Sequence, residues 1–276
     1  MTYLPTRVAV LGAGSIGGSF ARGLAAGRSD DLQVTLTTRS VRSAAALQNT
    51  TGFRVDAMDN DPDANSRAAR DADLVVIAVQ SPDVLAIIEQ IRPVLRQDTV
   101  VACLASAPSL AALEQALGPG HPVVRVMPNT GMETGQGLAA VAPGGAVSAA
   151  QREAVVALFS RVADVFVSDE RQLTVFIGVL GATAYFPLVA RAVQDSVTGL
   201  GFSPTQAERI ARQLFLGAAA SCRDRPESSF DALVAQVATP GGTTIAGLDV
   251  FTGADLRGTV DAAVRASIVR AGELAG

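Results

Sequence analysis

The amino-acid sequence predicts an α/β protein, with a doubly wound and mostly parallel sheet followed by an all-α domain. Up to about residue 168, short apolar runs alternate with longer segments of helical spacing, the pattern of successive strand–helix–strand units. Beyond that point strand-like runs stop and helical periodicity continues. A chain of 276 residues is long enough for two domains. We therefore expect one domain over residues 1–168 and a second over residues 169–276.

The elements follow from this alternation in chain order. Strands are predicted at residues 7–11, 32–37, 74–79, 99–104 and 123–127, and weaker strands at 138–142 and 164–167. The intervening helices are predicted at residues 16–26, 41–48, 82–95, 109–117 and 149–162. In the second domain we expect one long helix at 171–197, then helices at 204–222, 226–238 and 256–274, with a glycine-rich turn at 239–242. Ser203 and Pro204 suit the N-cap and first turn of the second of these helices.

A glycine-rich segment joins the first predicted strand directly to the first predicted helix. It reads Gly-Ala-Gly-Ser-Ile-Gly, which is the dinucleotide-binding fingerprint in its required context. The first glycine permits a tight turn, the second lets the backbone approach a pyrophosphate, and the third lets the helix pack on the strand. We therefore expect a Rossmann domain in which Gly12, Gly14, Ser15, Ile16 and Gly17 bind a dinucleotide.

The end of the second predicted strand indicates which dinucleotide binds. An NAD site places an Asp or Glu there to accept a hydrogen bond from the ribose 2′-hydroxyl, but this chain has no carboxylate at that place. It has instead Thr38, Arg39, Ser40 and Arg42. A guanidinium flanked by hydroxyl groups suits a 2′-phosphate, so we expect NADP, with NADPH as the hydride donor.

Composition excludes several classes of chemistry. All 22 basic residues are Arg, so no lysine can form a Schiff base or act as a general acid. The one histidine, His121, lies in a turn that enters a strand and is expected at the surface; one histidine cannot build a His-rich metal site, and we expect no metal. A net charge of -4 disfavours a nucleic-acid partner. Two distant cysteines and a first segment without a signal-peptide pattern suggest the cytoplasm.

Residues 172–190 contain no charged side chain. This length approaches that of a membrane-spanning helix. However, the stretch includes glutamine, threonine, glycine and Pro187, so we expect a helix that is buried or lies in an interface, with no membrane partner. An exposed apolar helix normally marks an interface. The prediction is therefore a homodimer, with further assembly left open.

Two segments of the chain resemble the signatures of the pyrroline-5-carboxylate reductase family. Met-Pro-Asn-Thr at residues 127–130 ends the predicted fifth strand, and Thr-Pro-Gly-Gly-Thr-Thr-Ile-Ala-Gly-Leu occupies residues 239–248. The family has Met-Pro-Asn-Thr at the first place and Ser-Pro-Gly-Gly-x-Thr-Ile-Ala-Gly-Leu at the second. The resemblance covers nearly the whole chain, including the order of the domains.

This resemblance implies an enzyme that reduces the cyclic imine 1-pyrroline-5-carboxylate to proline with NAD(P)H, a step of proline biosynthesis. It also implies a helical domain that interlocks with a second subunit. In the family the second motif holds the substrate carboxylate and its last threonine faces the ring nitrogen. By position, Thr239, Gly242 and Thr243 would bind the substrate, and Thr244 would be the catalytic residue.

The resemblance also places residues near the cofactor. Met127 and Asn129 would lie near the nicotinamide, and Ala78 and Val79 match the start of the family's Ala-Val-Lys-Pro segment after the fourth strand.

The residues suit imine reduction without reference to the family. Two glycines followed by Thr243 and Thr244 at a helix start offer N–H groups and hydroxyls for a carboxylate. Reduction of a protonated imine neutralises positive charge, so no strong acid is required; alignment of the nicotinamide with the imine carbon supplies much of the rate. A ketone would require a proton donor at the forming alkoxide, for which a chain without lysine is poorly equipped.

The chain departs from the family at the walls of the expected pocket. It has Leu-Gly-Ala-Thr-Ala-Tyr at 180–185 in place of Gly-Ser-Gly-Pro-Ala-Tyr, and Gln-Ser at 80–81 in place of Lys-Pro. Gly131 replaces a proline, and residues 105–108 lack the usual Ala-Gly. Two alternatives therefore stay open: a related NADP-dependent reductase of another imine or carbonyl in a secondary pathway, and a non-catalytic NADP-binding sensor.

Overall fold

The computed structural model describes residues 5–27 and 32–275 and divides the chain into two compact units. We call them the sheet unit, which runs to Leu180 and resumes at Ile268, and the helical unit, Gly181–Ser267. The expected domain boundary near residue 168 lies one helix earlier than the division after Leu180. The reason is that the helix Glu170–Leu180 belongs to the sheet unit, because its Leu173 packs in a cluster with Met127, Ala140 and Ala142 of the sheet.

The sheet unit is built on one eight-stranded sheet, one strand more than the seven that the sequence predicts, and the expected doubly wound, mostly parallel arrangement is confirmed. The strands are β1 Arg7–Leu11, β2 Gln33–Thr38, β3 Arg54–Ala57, β4 Leu74–Ile77, β5 Val100–Cys103, β6 Val123–Pro128, β7 Gly137–Pro143 and β8 Ala163–Val167. Their order in the sheet is β3-β2-β1-β4-β5-β6-β7-β8. The strands from β1 to β6 are parallel, β7 runs antiparallel to β6, and β8 is parallel to β7. The chain reverses its winding between β1 and β4, where open α/β sheets bind ligands.

Helices cover both faces of the sheet. They are α1 Ser15–Ala26, α2 Val41–Thr51, α3 Ala64–Arg70, α4 Val84–Ile91, α5 Leu110–Leu117, α6 Ala149–Phe159 and α7 Glu170–Leu180. Short 3-10 helices occupy Ser81–Asp83, Arg92–Val94 and Thr130–Thr134. On one face Phe20 of α1 stacks on Phe159 of α6 with ring centroids 4.6 Å apart. On the other face Ile88 of α4 and Leu113 of α5 are fully buried against β4 and β5.

The helical unit begins with the 3-10 turn Gly181–Ala184 and has no strand among its described residues. Its helices are α8 Tyr185–Gly199, α9 Pro204–Asp224, α10 Phe230–Val237, α11 Thr243–Gly253 and the first part of α12, Leu256–Ala275. Ser203 caps α9 in a reciprocal capping box with Gln206, and Pro204 is the first helical residue. The predicted start of this helix is thus confirmed.

The predicted long helix at 171–197 is wrong as one continuous element. It is divided into α7 and α8 by the 3-10 turn Gly181–Ala184. Pro187 lies in the first turn of α8 and has no N–H to donate to the carbonyl of Thr183, so a regular helix does not pass through this place. By length and composition alone, the combined stretch Glu170–Gly199 is apolar enough to cross a membrane, because an 18-residue window within it has a mean hydropathy of 1.9. One such stretch is weak evidence for a membrane span.

Candidate active site

The glycine-rich loop is packed tightly against the residues that follow β4. Gly12 has a φ of +74°, which favours glycine, and a Cβ there would overlap the side chain of Val79. A Cβ on Gly17 would lie 2.8 Å from the Cβ of Ala78. The first and third glycines of the motif are therefore required by packing within the protein, and Ala78 and Val79 lie directly against the loop.

The second glycine is different. A Cβ on Gly14 would meet only the carbonyl oxygen of Gly12, at 3.9 Å, so the protein leaves the space beside it open. Gly14 is also the N-cap of α1, and no side chain caps this helix. Gly14 and Ser15 are exposed and Ile16 is half-buried. An open cradle at an uncapped helix N-terminus fits a pyrophosphate group.

A buried polar chain that the motif does not reveal anchors this loop. Thr37, at the end of β2, accepts a hydrogen bond from the Gly12 N–H at 3.1 Å and donates its hydroxyl to Asn65 Oδ1 at 2.7 Å. Asn65 in turn donates to Gln90 Oε1 at 3.0 Å. Thr37 and Asn65 are both fully buried. These residues hold the first glycine in place from beneath the loop.

The residues predicted to meet the ribose lie together at the end of β2 and the start of α2. Thr38 is buried and donates its hydroxyl to the Ser40 carbonyl at 3.1 Å, while the Ser40 hydroxyl caps α2 by accepting from the Ser43 N–H. The Arg39 side chain is 88% exposed, and Arg42 is exposed as well. The two hydroxyls therefore shape this turn, and the two guanidinium groups are accessible to an anion.

Met127 and Asn129 lie at the carboxyl end of β6. Met127 is buried, and Asn129 Oδ1 accepts a hydrogen bond from the Leu138 N–H at 3.0 Å. The backbone N–H of Asn129 donates to the Leu138 carbonyl at 3.1 Å. The asparagine side chain therefore fixes the loop after β6 to the start of β7.

The same loop is clamped to helix α1. Glu133 accepts hydrogen bonds from the Ser19 hydroxyl at 3.1 Å and from Arg22 at 2.9 Å, and Arg22 lowers the pKa of this carboxyl. A Cβ on Gly23 would overlap the Met132 carbonyl, so only glycine allows α1 to approach this closely. The loop after β6 and helix α1 thus form one packed element.

Two of the departures from the family pattern contact each other. The hydroxyls of Ser81, after β4, and Ser106, after β5, lie 3.2 Å apart. The Ser81 hydroxyl also accepts from the Ala107 N–H at 3.2 Å. These polar contacts join the loop after β4 to the loop after β5 at the carboxyl edge of the sheet.

The predicted substrate residues lie together in the helical unit, at the start of α11. Gly241 has a φ of +72°, and Gly242 is the N-cap of the helix, which has no side-chain cap. The Gly242 N–H donates to the Thr239 carbonyl at 2.9 Å. Thr239 and Thr243 are exposed, and Thr244 is half-buried. This glycine turn presents free helix N–H groups beside hydroxyls, an arrangement that suits a carboxylate.

Models of two families match the chain. The model for pyrroline-5-carboxylate reductase dimerisation matches residues 170–274, and the model for ketopantoate reductase PanE/ApbA matches residues 8–146. The second match is confined to the part that contains the glycine-rich loop.

Similar proteins match over almost the full length. A pyrroline-5-carboxylate reductase of Corynebacterium melassecola is 33% identical, with 98% of each chain covered. The structure of a pyrroline-5-carboxylate reductase from Coxiella burnetii has a TM-score of 0.86 at 27% identity and covers 98% of this chain and 99% of its own. The Plasmodium falciparum pyrroline carboxylate reductase, with NADP bound, has a TM-score of 0.81 at 20% identity and full coverage of both chains.

Proposed function

Because the chain belongs to the pyrroline-5-carboxylate reductase family, we propose that it reduces 1-pyrroline-5-carboxylate to proline with NADPH. The observation that carries this proposal is the uncapped start of α11, where Thr239, Gly242, Thr243 and Thr244 surround a glycine turn. A cyclic imino acid has the one anionic group that such a helix N-terminus would bind.

The cofactor half of the proposal rests on the sheet unit. The N-terminus of α1 and the open space at Gly14 would hold the pyrophosphate, and the exposed guanidinium groups of Arg39 and Arg42 would hold the 2′-phosphate. NADPH supplies the hydride. Ala78, Val79, Met127 and Asn129 support these loops from the carboxyl edge of the sheet and are proposed as cofactor-site residues.

The substrate half of the proposal rests on the helical unit. The N–H groups of Thr243 and Thr244 would donate to the carboxylate, and the Thr244 hydroxyl would accept a hydrogen bond from the protonated ring nitrogen. A hydride added to the imine carbon moves the π electrons to nitrogen and leaves a neutral secondary amine, so the step consumes no further proton. The protein has to orient the ring and does not require a lysine as a general acid.

A second candidate is reduction of a different imine or carbonyl compound. Two observations favour it: the Ser81–Ser106 contact, which replaces family residues, and the match of residues 8–146 to ketopantoate reductase. This match does not extend into the helical unit, whereas the pyrroline-5-carboxylate reductases match both units. Reduction of the cyclic imino acid therefore remains the first candidate function.

We also propose that the protein is a cytoplasmic homodimer with no membrane or nucleic-acid partner. The helical unit carries large apolar side chains that are more than 60% exposed, including Phe186, Leu188, Leu200, Leu214, Phe230 and Val250. Exposed apolar surface of this extent indicates a protein interface, and these residues fall within the segment that matches the dimerisation family. A stable monomer at micromolar concentration in light scattering would contradict the dimer.

The decisive experiment is NADPH oxidation against a panel of five-membered and six-membered cyclic imino acids, with ketopantoate as the carbonyl control. We expect the highest kcat/KM for 1-pyrroline-5-carboxylate. A higher value for another imine or for ketopantoate would favour the second candidate. If the protein binds NADPH but does not oxidise it with any of these compounds, it acts as an NADP-binding sensor.

A further inference from the structure

The turn after β4 crosses from the glycine-rich loop to the end of β2. Val79, near its start, lies against Gly12, and Asp83 lies at its other end, with Oδ2 3.6 Å from Arg39 Nη2. Because β2 and β4 flank β1 in the sheet, the carboxylate and the guanidinium meet above the end of the central strand. The ion pair therefore stands where the adenosine half of a dinucleotide would lie.

The Asp83 carboxylate makes no capping hydrogen bond in its own helix. Asp83 is the N-cap of α4, a position at which aspartate commonly accepts a hydrogen bond from the helix backbone, yet its side chain makes no such bond. The side chain is half-exposed and directed at Arg39. Among the described residues, Asp83 is the one acidic residue whose carboxylate lies within 4 Å of the Arg39 guanidinium.

The turn that carries Asp83 is ordered. Residues Ser81–Asp83 form a 3-10 helix with Pro82 in its first turn, and the Asp83 N–H donates to the Gln80 carbonyl at 2.9 Å. The Ser81 hydroxyl, bonded to the Ala107 N–H, fixes the turn to the loop after β5. The carboxylate is thus held beside Arg39 by a supported backbone.

We propose that Asp83 is a specificity-determining residue that reduces the protein's preference for NADPH over NADH. In the free protein the carboxylate is the counter-ion of Arg39. A 2′-phosphate must displace it from the guanidinium and then lies close to a like charge, whereas a 2′-hydroxyl meets no repulsion and can donate a hydrogen bond to the carboxylate. Asp83 thereby weakens NADPH binding and leaves NADH binding intact. This inference rests on the proposed function, in which Arg39 binds the 2′-phosphate.

The test is a double-mutant cycle of Asp83→Asn and Arg39→Gln, with the dissociation constants of NADP⁺ and NAD⁺ measured by titration of the full-length protein. Asparagine keeps the shape of the side chain and removes its charge. For Asp83→Asn we expect NADP⁺ to bind about two- to fivefold more tightly, the range for an exposed ion pair. We expect NAD⁺ to bind equally well or more weakly. With Arg39→Gln present, Asp83→Asn should have a clearly smaller effect on NADP⁺.

The matched control is Asp98→Asn. Asp98 is also an exposed carboxylate paired with an arginine, Arg96. It precedes β5, at the amino edge of the parallel sheet, opposite the edge that carries the glycine-rich loop. We expect this change to alter neither dissociation constant.

Three results would overturn the inference: equal effects of Asp83→Asn on the two dinucleotides, an undiminished effect in the Arg39→Gln background, or absence of NADP⁺ binding by the unaltered protein. Failure of the proposed function has a different signature. It would appear as NADP⁺ binding with no reduction of the cyclic imines, and the cycle would still decide the role of Asp83.

Discussion

Arg125 in β6 and Glu170 at the start of α7 form an ion pair, with Nη1 2.8 Å from Oε1. The Arg125 side chain is 3% exposed and also donates to the Ser106 carbonyl. Glu170 accepts a second hydrogen bond from the Leu110 N–H at 2.6 Å. This pair therefore joins the central sheet, the loop after β5, helix α5 and the start of α7, where the match to the dimerisation family begins.

Removal of the acidic partner should destabilise the sheet unit. Glu170→Ala leaves a buried guanidinium without its counter-ion, and we expect the free energy of unfolding to fall by about 2 to 3 kcal/mol, because Glu170 itself is partly exposed to solvent. The control is Glu208→Ala, which breaks an exposed pair with Arg212 in one helix and should cost less than about 0.5 kcal/mol. Equal losses for the two variants in urea unfolding would contradict the role of the buried pair.

Cofactor preference should depend on Arg39. Arg39→Asp replaces the exposed guanidinium with a group that repels a 2′-phosphate and accepts from a 2′-hydroxyl. We expect NADPH binding to weaken by about 10- to 100-fold, the range for a hydrogen bond to a charged group, and NADH to become the preferred cofactor. Titration of the variant with NADPH and with NADH measures the two dissociation constants. Arg212→Asp, outside the sheet unit, is the control. An equal loss of affinity for NADH and NADPH in Arg39→Asp would argue against the phosphate-binding role.

The parallel strands could be predicted closely because they are buried on both faces. Leu74–Ile77 and Val100–Cys103 are continuous apolar runs whose predicted ends differ from the structure by one or two residues. β3 was not predicted, because it is a four-residue edge strand in which Arg54 is exposed and Asp56 is half-buried. α3 has only seven residues, too short for a clear helical period.

The candidate site was predictable only where it is local in sequence. The glycine-rich loop and the turn before α11 are contiguous motifs. The Thr37–Asn65–Gln90 chain and the Arg39–Asp83 pair join residues that are 25 to 44 positions apart, which no local pattern indicates. The expectation that His121 lies at the surface is wrong: the residue is 7% exposed, and burial lowers its pKa. Contacts between residues that are far apart in the chain therefore could not be predicted from the local sequence pattern.

Asp73 should make stability depend on acid pH. Burial opposes ionisation of this carboxyl, but bonds from Arg7, Thr6 and Arg96 outweigh it and lower the pKa to about 2 from 3.8. A folded-state pKa below the unfolded value stabilises the protein above pH 3.8, and this contribution is lost as the pH falls toward 2. Asp73→Asn should therefore cost about 2 kcal/mol at pH 7, and the gap to the unaltered protein should narrow below pH 4. A difference in the free energy of unfolding that stays constant from pH 7 to pH 2 would contradict the role of the Asp73 carboxylate.

The chemical step should depend on the Thr244 hydroxyl. Thr244→Ala removes the group proposed to hold the ring nitrogen, and we expect kcat/KM for the imino acid to fall by about tenfold to a thousandfold, as for loss of a positioned hydrogen-bonding group. Thr244→Ser keeps a hydroxyl and should recover most of the activity. The affinity for NADPH should stay nearly constant, because the proposed cofactor residues belong to the sheet unit.

The competing explanation is that Thr244 only stabilises the start of α11. The structure assigns the N-cap to Gly242 and places Thr244 two residues inside the helix, so the usual cost of about 1 kcal/mol for losing a capping side chain does not apply. Thr252→Ala is the matched control, since Thr252 lies in the same helix and its hydroxyl donates to the Leu248 carbonyl at 3.1 Å, at the end opposite the glycine turn. We expect this control to keep full turnover. A lower melting temperature for Thr244→Ala together with normal kcat/KM would show that the hydroxyl serves the helix and that the nitrogen is held by another group.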